Sequence, residues 1–150
     1  MSKPEPGPIV FQVCTTDSQL QASFAVRAIV FIEEQACPFA DEFDELDRTG
    51  NNAIHIVGTV AAEPVAAGRI RRLPDVAKLE RLSIRQAWRG QGAGHQLLKF
   101  MMQSAQVDGY HRFKLNAQAH LTGFYESHGF VSEGPIFQEA GIDHKLMVRE

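Results

Sequence analysis

At 150 residues, with 44% hydrophobic and 22% charged residues and a net charge of -3, the chain has the size and composition of one globular domain with a proper core. The balance gives no electrostatic reason to expect nucleic acid or an anionic membrane as partner, and no apolar run nears the roughly 18 residues of a membrane span. Cys14 and Cys37, without histidine at ligand spacing, make neither a zinc site nor a disulfide framework, which points to a reducing cytoplasm and a site without metal.

Residues 1–8 are polar and proline-rich, neither signal peptide nor anchor, and are expected to be a disordered lead-in to one domain over 9–150. Ile9 to Cys14 has the β-branched content of a strand. Thr16 with Gln19 fits a capping box, and Leu20, Phe24, Ala28 and Phe31 recur at helical spacing, so a helix is expected from near Asp17 to Glu34. Cys37 after it reads as a small, semi-buried residue rather than a reactive thiol. Asp41, Glu42, Asp44, Glu45 and Asp47 then form the most acidic stretch. Facing a cleft, they would attract a cationic amine; otherwise they belong to a solvated loop or a short charged helix.

Ile54–Val60 and Val65–Arg72 read as strands joined tightly through Ala61 to Pro64, with His55 a core or rim residue. In the next strand, Val76 to Ile84, Leu79 and Leu82 are three apart, which a period of two cannot place on one face. Either both faces are buried or the strand carries a bulge, which would open a slot beside its neighbour. The stretch Arg89-Gly90-Gln91-Gly92-Ala93-Gly94-His95 follows, a glycine-rich turn opening a helix. It builds an anion site from unpaired backbone N–H groups, the helix dipole and the charges of Arg89 and His95. A P-loop would need Gly-Lys and a hydroxyl where His95 and Gln96 stand, and a dinucleotide fingerprint would need its third glycine one residue later.

That helix is expected to bury Leu97, Leu98, Met101 and Ala105 and to stop at Asp108 before Gly109. Phe113 to Gln118 is a strand and His120 to His128 a short helix. Two last strands, near 131–137 and 144–148, are joined through 139–143. The order is β-α-(short helix)-β-β-β-α-β-α-β-β, an α/β chain.

R-x-x-G-x-G over Arg89–Gly94 resembles the acetyl-CoA signature of GNAT-type N-acetyltransferases. Asn116 to Phe130, N-A-Q-A-H-L-T-G-F-Y-E-S-H-G-F, resembles the same family's strand-end asparagine, tyrosine and Gly-Phe. The run V-F-I-x-E-Q-x-x-P-x-x-x-E-x-D-x-x-D, Val30 to Asp47, resembles its ElaA-like branch. The resemblance implies a GNAT fold, a mixed, mostly antiparallel sheet flanked by helices. It implies an acetyl-CoA-dependent N-acetyltransferase acting by direct attack on the primary amine of a small molecule, in a chain that can pair as a homodimer; the acidic run favours a cationic acceptor over an anionic one. A protein or peptide acceptor, or a non-catalytic CoA-binding module, are the alternatives.

The turn would hold the CoA pyrophosphate, and the backbone of Leu82, Ser83 and Ile84 would pair with the pantetheine amides and offer an N–H to the thioester oxygen. Phe124 would join the cofactor site. Asn116 would either bond the cofactor or cap the next helix. Tyr125 would be the general acid for the departing thiolate. Glu80 would be the base for the amine, or else an ion-pair partner of Arg69, Arg71 or Arg81, with His120 and His144 as further candidates. Glu34, Asp41, Glu42, Asp44 and His144 would line the acceptor side.

Overall fold

The computed structural model describes residues 8–37, 42–49 and 52–150. The expected lead-in therefore falls, save for Pro8, outside the described residues. Strand β1 is Val10–Val13 and helix α1 is Asp17–Arg27, which runs on into seven π-helical residues, Ala28–Glu34; α2 is the short Leu46–Thr49. Three strands follow, β2 Ala53–Val60, β3 Glu63–Arg72 and β4 Ala77–Ile84, then a 3-10 turn at Gln86–Trp88 and α3 Ala93–Val107. β5 is Phe113–Gln118, followed by a 3-10 turn at Ala119–Leu121, α4 Thr122–Glu126, β6 Val131–Glu139 and β7 Ile142–Arg149.

Local chemistry accounts for several of these boundaries. The capping box is formed: the Gln19 amide donates to Thr16 Oγ1, and the Thr16 amide donates to Gln19 Oε1, each at 3.2 Å. At the other end of the expected helix the spacing misled, since the last two turns widen into π-helix. The buried face of α1 is also rotated. Ser23, Val26 and Arg27 face inward, with Val30 beyond them, while Phe24 turns aside to meet Phe43 and His55 edge-on. Ser23 is small enough to bring the helix close, and its hydroxyl donates to the Ile56 carbonyl. The expected helix over 120–128 is shortened to one turn of 3-10 and one of α.

The sheet runs β1-β2-β3-β4-β5-β7-β6, antiparallel except where β4 meets β5. α3 covers one face, its Leu97, Leu98, Met101 and Ala105 packed with Ile56, Ile70, Leu79 and Leu115. A Cβ at Gly68 would sit 2.6 Å from Met101 Sδ, so β3 needs glycine for this helix to seat. α1 covers the other face, where Val26 and Val30 meet Ala67.

The question left open by Leu79 and Leu82 is answered by a bulge. Arg69 pairs with Glu80 and Ala67 with Ser83, so Arg81 and Leu82 together oppose Gly68, and Arg81 takes a left-handed φ of 57°. The parallel pairing of β4 with β5 is confined to Ala77 with Phe113 and Lys78 with Lys114. Past that point the two strands part.

Candidate active site

The parting strands open a cleft of about 460 Å³. Leu79 to Leu82 of β4 form one wall and Leu115, Asn116 and Gln118 of β5 the other; Tyr125 of α4 also lines it. Phe31, Gln35 and Cys37 close it from the π-helical end of α1, and Glu139, Ala140, Ile142 and His144 from the β6–β7 hairpin. A slot between strands suits an extended ligand with amide groups, because a strand edge without a partner carries free backbone donors and acceptors.

The glycine turn lies at the end of β4. Gly90 and Gly92 have φ of 80° and 83°, and a Cβ on either would meet nothing within 4 Å. They are therefore required by backbone conformation and leave open space above the turn. Gly92 caps α3 without a side-chain bond, so the first N–H groups of a 15-residue helix face that space. Gly94 is different: its Cβ would touch the Phe124 ring at 3.4 Å, which locks the turn against α4. This arrangement fits a phosphate group.

Arg89 and His95, expected to neutralise that phosphate, both have protein partners. Arg89 donates to the Ile84 carbonyl at 2.7 Å and pairs with Glu34 at 2.9 Å. Glu34, expected on the acceptor side, thus ties the end of the π-helix to the turn. His95 Nδ1 lies 2.7 Å from His128 Nε2, and both rings rest on Phe124.

The acidic segment folds back onto arginines. Arg27, fully buried, bonds Glu42 at 2.8 Å and Asp47 at 2.7 Å. Arg69, also fully buried, takes Asp44 through both terminal nitrogens, and Asp47 and Glu80 besides. Arg81 reaches Glu42 at 3.4 Å. Asp41 lies outside the described residues. Burial pushes the Asp47 carboxyl up, but its bonds to Arg27 and the Asp44 amide more than offset that and hold it at about 2. Asp44 is likewise lowered, its burial outweighed by Arg69. Glu42 goes the other way, because desolvation exceeds what Arg27 and Arg81 return. Glu42, Asp44 and Asp47 thus hold the α1 face together through arginines, and among the described residues of this segment only Glu42 lines the cleft.

Glu80 sits where it was expected, facing the cleft, with both oxygens engaged. Arg69 and Arg71 bond Oε1 at 3.2 and 3.1 Å, and Lys78 lies 3.5 Å from Oε2. Burial would raise its pKa, yet Arg69, Lys78 and Arg71 together lower it. Tyr125 is 7% exposed, and burial pushes its phenol up to about 12. Asn116 donates to Glu139 Oε1 at 3.4 Å. His144 lies against the Ile142 carbonyl through Nδ1 at 2.7 Å, and its Nε2 is 3.5 Å from Glu139 Oε2. Ser83 is buried, its hydroxyl on the Ala67 and Arg81 carbonyls.

Glu80, Leu82, Asn116, Tyr125 and His144 are therefore brought together, while Glu34 and Asp44 are held apart in ion pairs. His120 is exposed on the 3-10 turn and does not line the cleft. The ion-pair alternative expected for Glu80 is formed with Arg69 and Arg71, whereas sequence reasoning missed Arg27 and Glu139. An arginine among the buried positions of an amphipathic helix, followed by a dense carboxylate run, is the pattern that announces Arg27.

The acetyltransferase (GNAT) domain family matches residues 30–150. The chain is similar to the uncharacterized N-acetyltransferase YjcF of Bacillus subtilis, 36% identical over 139 residues, which cover 92% of this chain and 97% of that one. It is also similar to protein ElaA of Escherichia coli, 37% identical over 141 residues, 89% of this chain and 88% of the other. The crystal structure of ElaA superposes with a TM-score of 0.85 over 95% of this chain and all of its own. A GNAT family acetyltransferase from Elizabethkingia anophelis with acetyl-CoA bound shares the fold, with a TM-score of 0.70 at 17% identity over 95% of this chain and 97% of that one. With the family matching well over half the sequence, the chain belongs to the GNAT acetyltransferases, on the branch of ElaA.

Proposed function

We propose that this acetyltransferase moves an acetyl group from acetyl-CoA to the primary amine of a small molecule, by direct attack and without a metal, in the cytoplasm. The observation that carries the reading is the bulge at Arg81 and Leu82, which parts β4 from β5 and points the slot at an uncapped helix N-terminus. The bound acetyl-CoA of the Elizabethkingia neighbour supports the donor.

In this reading the amides of Gly92, Ala93, Gly94 and their neighbours Gly90 and Gln91 hold the pyrophosphate, with Arg89 and His95 turning from their protein partners toward it. Leu82, Ser83 and Ile84 present strand-edge amides to the pantetheine arm, and Phe124 walls the turn. Tyr125 gives its proton to the leaving thiolate. A phenol at about 12 is still protonated at any pH the enzyme meets, as an acid must be. Glu80 lines the slot beside the arriving amine and is kept ionised by Arg69, Lys78 and Arg71, so its charge serves to order those cations. The expected cationic acceptor rests on Glu139 at the mouth, since Asp44 and Glu80 are already paired with arginine.

The test is thiol release from acetyl-CoA in the presence of cadaverine, phenethylamine, lysine amide and a lysine-containing peptide. Turnover with the small amines supports the reading. Turnover with the peptide alone makes this a protein acetyltransferase, and acetyl-CoA binding without turnover makes it a CoA-binding module.

A further inference from the structure

The amine must lose a proton before it attacks, and Glu80 is poorly placed to take it. Both of its oxygens are spanned by cations and its pKa is lowered, so it holds charge well and binds a proton weakly. Glu42, the other carboxylate of the inner cleft, is bonded to Arg27 and Arg81. The β6–β7 hairpin offers a different chemistry. His144 is buried against the cleft wall, 6% exposed, and stacks on Phe137. Its Nδ1 faces a carbonyl, Ile142 O, at 2.7 Å. A carbonyl only accepts, so Nδ1 carries the hydrogen, and Nε2 is the ring nitrogen left to exchange a proton with a ligand in the cleft. Beside that nitrogen stands Glu139, 45% exposed, whose other oxygen is tethered by Asn116. Among the described residues, no arginine or lysine pairs with Glu139.

We propose that His144 takes the proton of the acceptor ammonium, that Glu139 binds the ammonium and steadies the imidazolium that forms, and that Asn116 positions Glu139. The inference rests on the acetyltransferase reading above and deepens it. Because Glu139 Oε2 and His144 Nε2 are 3.5 Å apart, an ammonium set beside the pair can bridge both at hydrogen-bond distance. One N–H proton passes to Nε2, and the freed pair on nitrogen forms the C–N bond as the C–S bond breaks. The thiolate takes the Tyr125 proton. A second proton leaves nitrogen as the amide forms and restores the phenol through cleft water, and the first leaves His144 to solvent. The charge-balanced sum is one ammonium and one thioester to one amide, one thiol and one proton.

The experiment uses cadaverine and phenethylamine with wild type, His144→Ala, Glu139→Gln and Glu80→Gln, with acetyl-CoA affinity measured on each. His144→Ala is expected to lose kcat by about 100-fold or more with acetyl-CoA affinity within threefold, and to regain at least tenfold of it in millimolar imidazole. Glu139→Gln, an exposed change that leaves the core intact, is expected to raise the amine KM tenfold or more. Glu80→Gln is expected to show no recovery in formate. A His144→Ala enzyme that works at the wild-type rate, or that binds acetyl-CoA yet is not rescued by imidazole, overturns the proposal, as does an unchanged KM in Glu139→Gln. A wild type that transfers acetyl to neither amine removes the underlying reading as well.

Discussion

Tyr125 and Asp47 show burial working in opposite senses. At Tyr125 nothing counters desolvation, so the phenol rises to about 12 and stays protonated while an amine with a pKa near 10 becomes free base. Replacing Tyr125 with Phe should cut kcat about 100-fold and leave acetyl-CoA affinity within threefold, and the wild-type pH profile should show no loss of kcat through phenol ionisation up to pH 10. A mild kcat effect would make Tyr125 a packing residue. At Asp47 the arginine bonds win, and the folded pKa lies near 2 against 3.8. A depressed carboxyl pKa stabilises the fold above the unfolded value and loses that contribution as pH falls from about 4 to 2, some 2 kcal/mol here. The raised pKa of Glu42 has the reverse sign and softens that loss. Asp47→Asn should therefore be less stable by about 3 kcal/mol at neutral pH, since it strips Arg27 and Arg69 of a partner, and its stability should be flatter between pH 4 and 2 than wild type in acid-titrated denaturation.

Elements were legible where their signals are local. The capping box at Thr16, the stop at Gly109, the stripe of α3 and the run of β5 all appear where the residues place them. What escaped depends on partners distant in sequence. The π-helical end of α1 has no spacing signature, and an arginine reads as surface until a carboxylate 15 or 20 residues on is seen to cover it. The hairpin loop expected at 139–143 is only the two-residue turn Ala140-Gly141, both with positive φ, which puts Glu139 on the strand paired with that of His144. The β2–β3 turn uses the same form with two alanines, Ala61 at 48° and Ala62 at 69°, where no Cβ is comfortable. Ala61→Asn with Ala62→Gly should raise the melting temperature by about 3 °C, measured by calorimetry. Gly68→Ala should cost about 1–3 kcal/mol because of Met101, and Met101→Ala in the same chain should recover part of it. Independent, additive losses would mean that β3 and α3 do not meet there.

For the whole molecule, one irregularity organises the rest. The extra residue in β4 at Arg81 sends that strand away from β5, the divergence opens the cleft, and the end of the same strand delivers the glycine turn and the start of α3. The α1 face is braced by arginines and carboxylates, while the α3 face is apolar, so the cleft has one charged and one greasy side. Extended acyl carriers with a phosphate at one end match that shape. Calorimetric titration with acetyl-CoA, beside free CoA, ATP and NAD, on wild type and on Gly92→Glu, tests this most directly. Micromolar binding of the two CoA compounds alone, abolished in Gly92→Glu, is the predicted result. Binding of ATP or NAD in their place, or acetyl-CoA affinity untouched by Gly92→Glu, would contradict it.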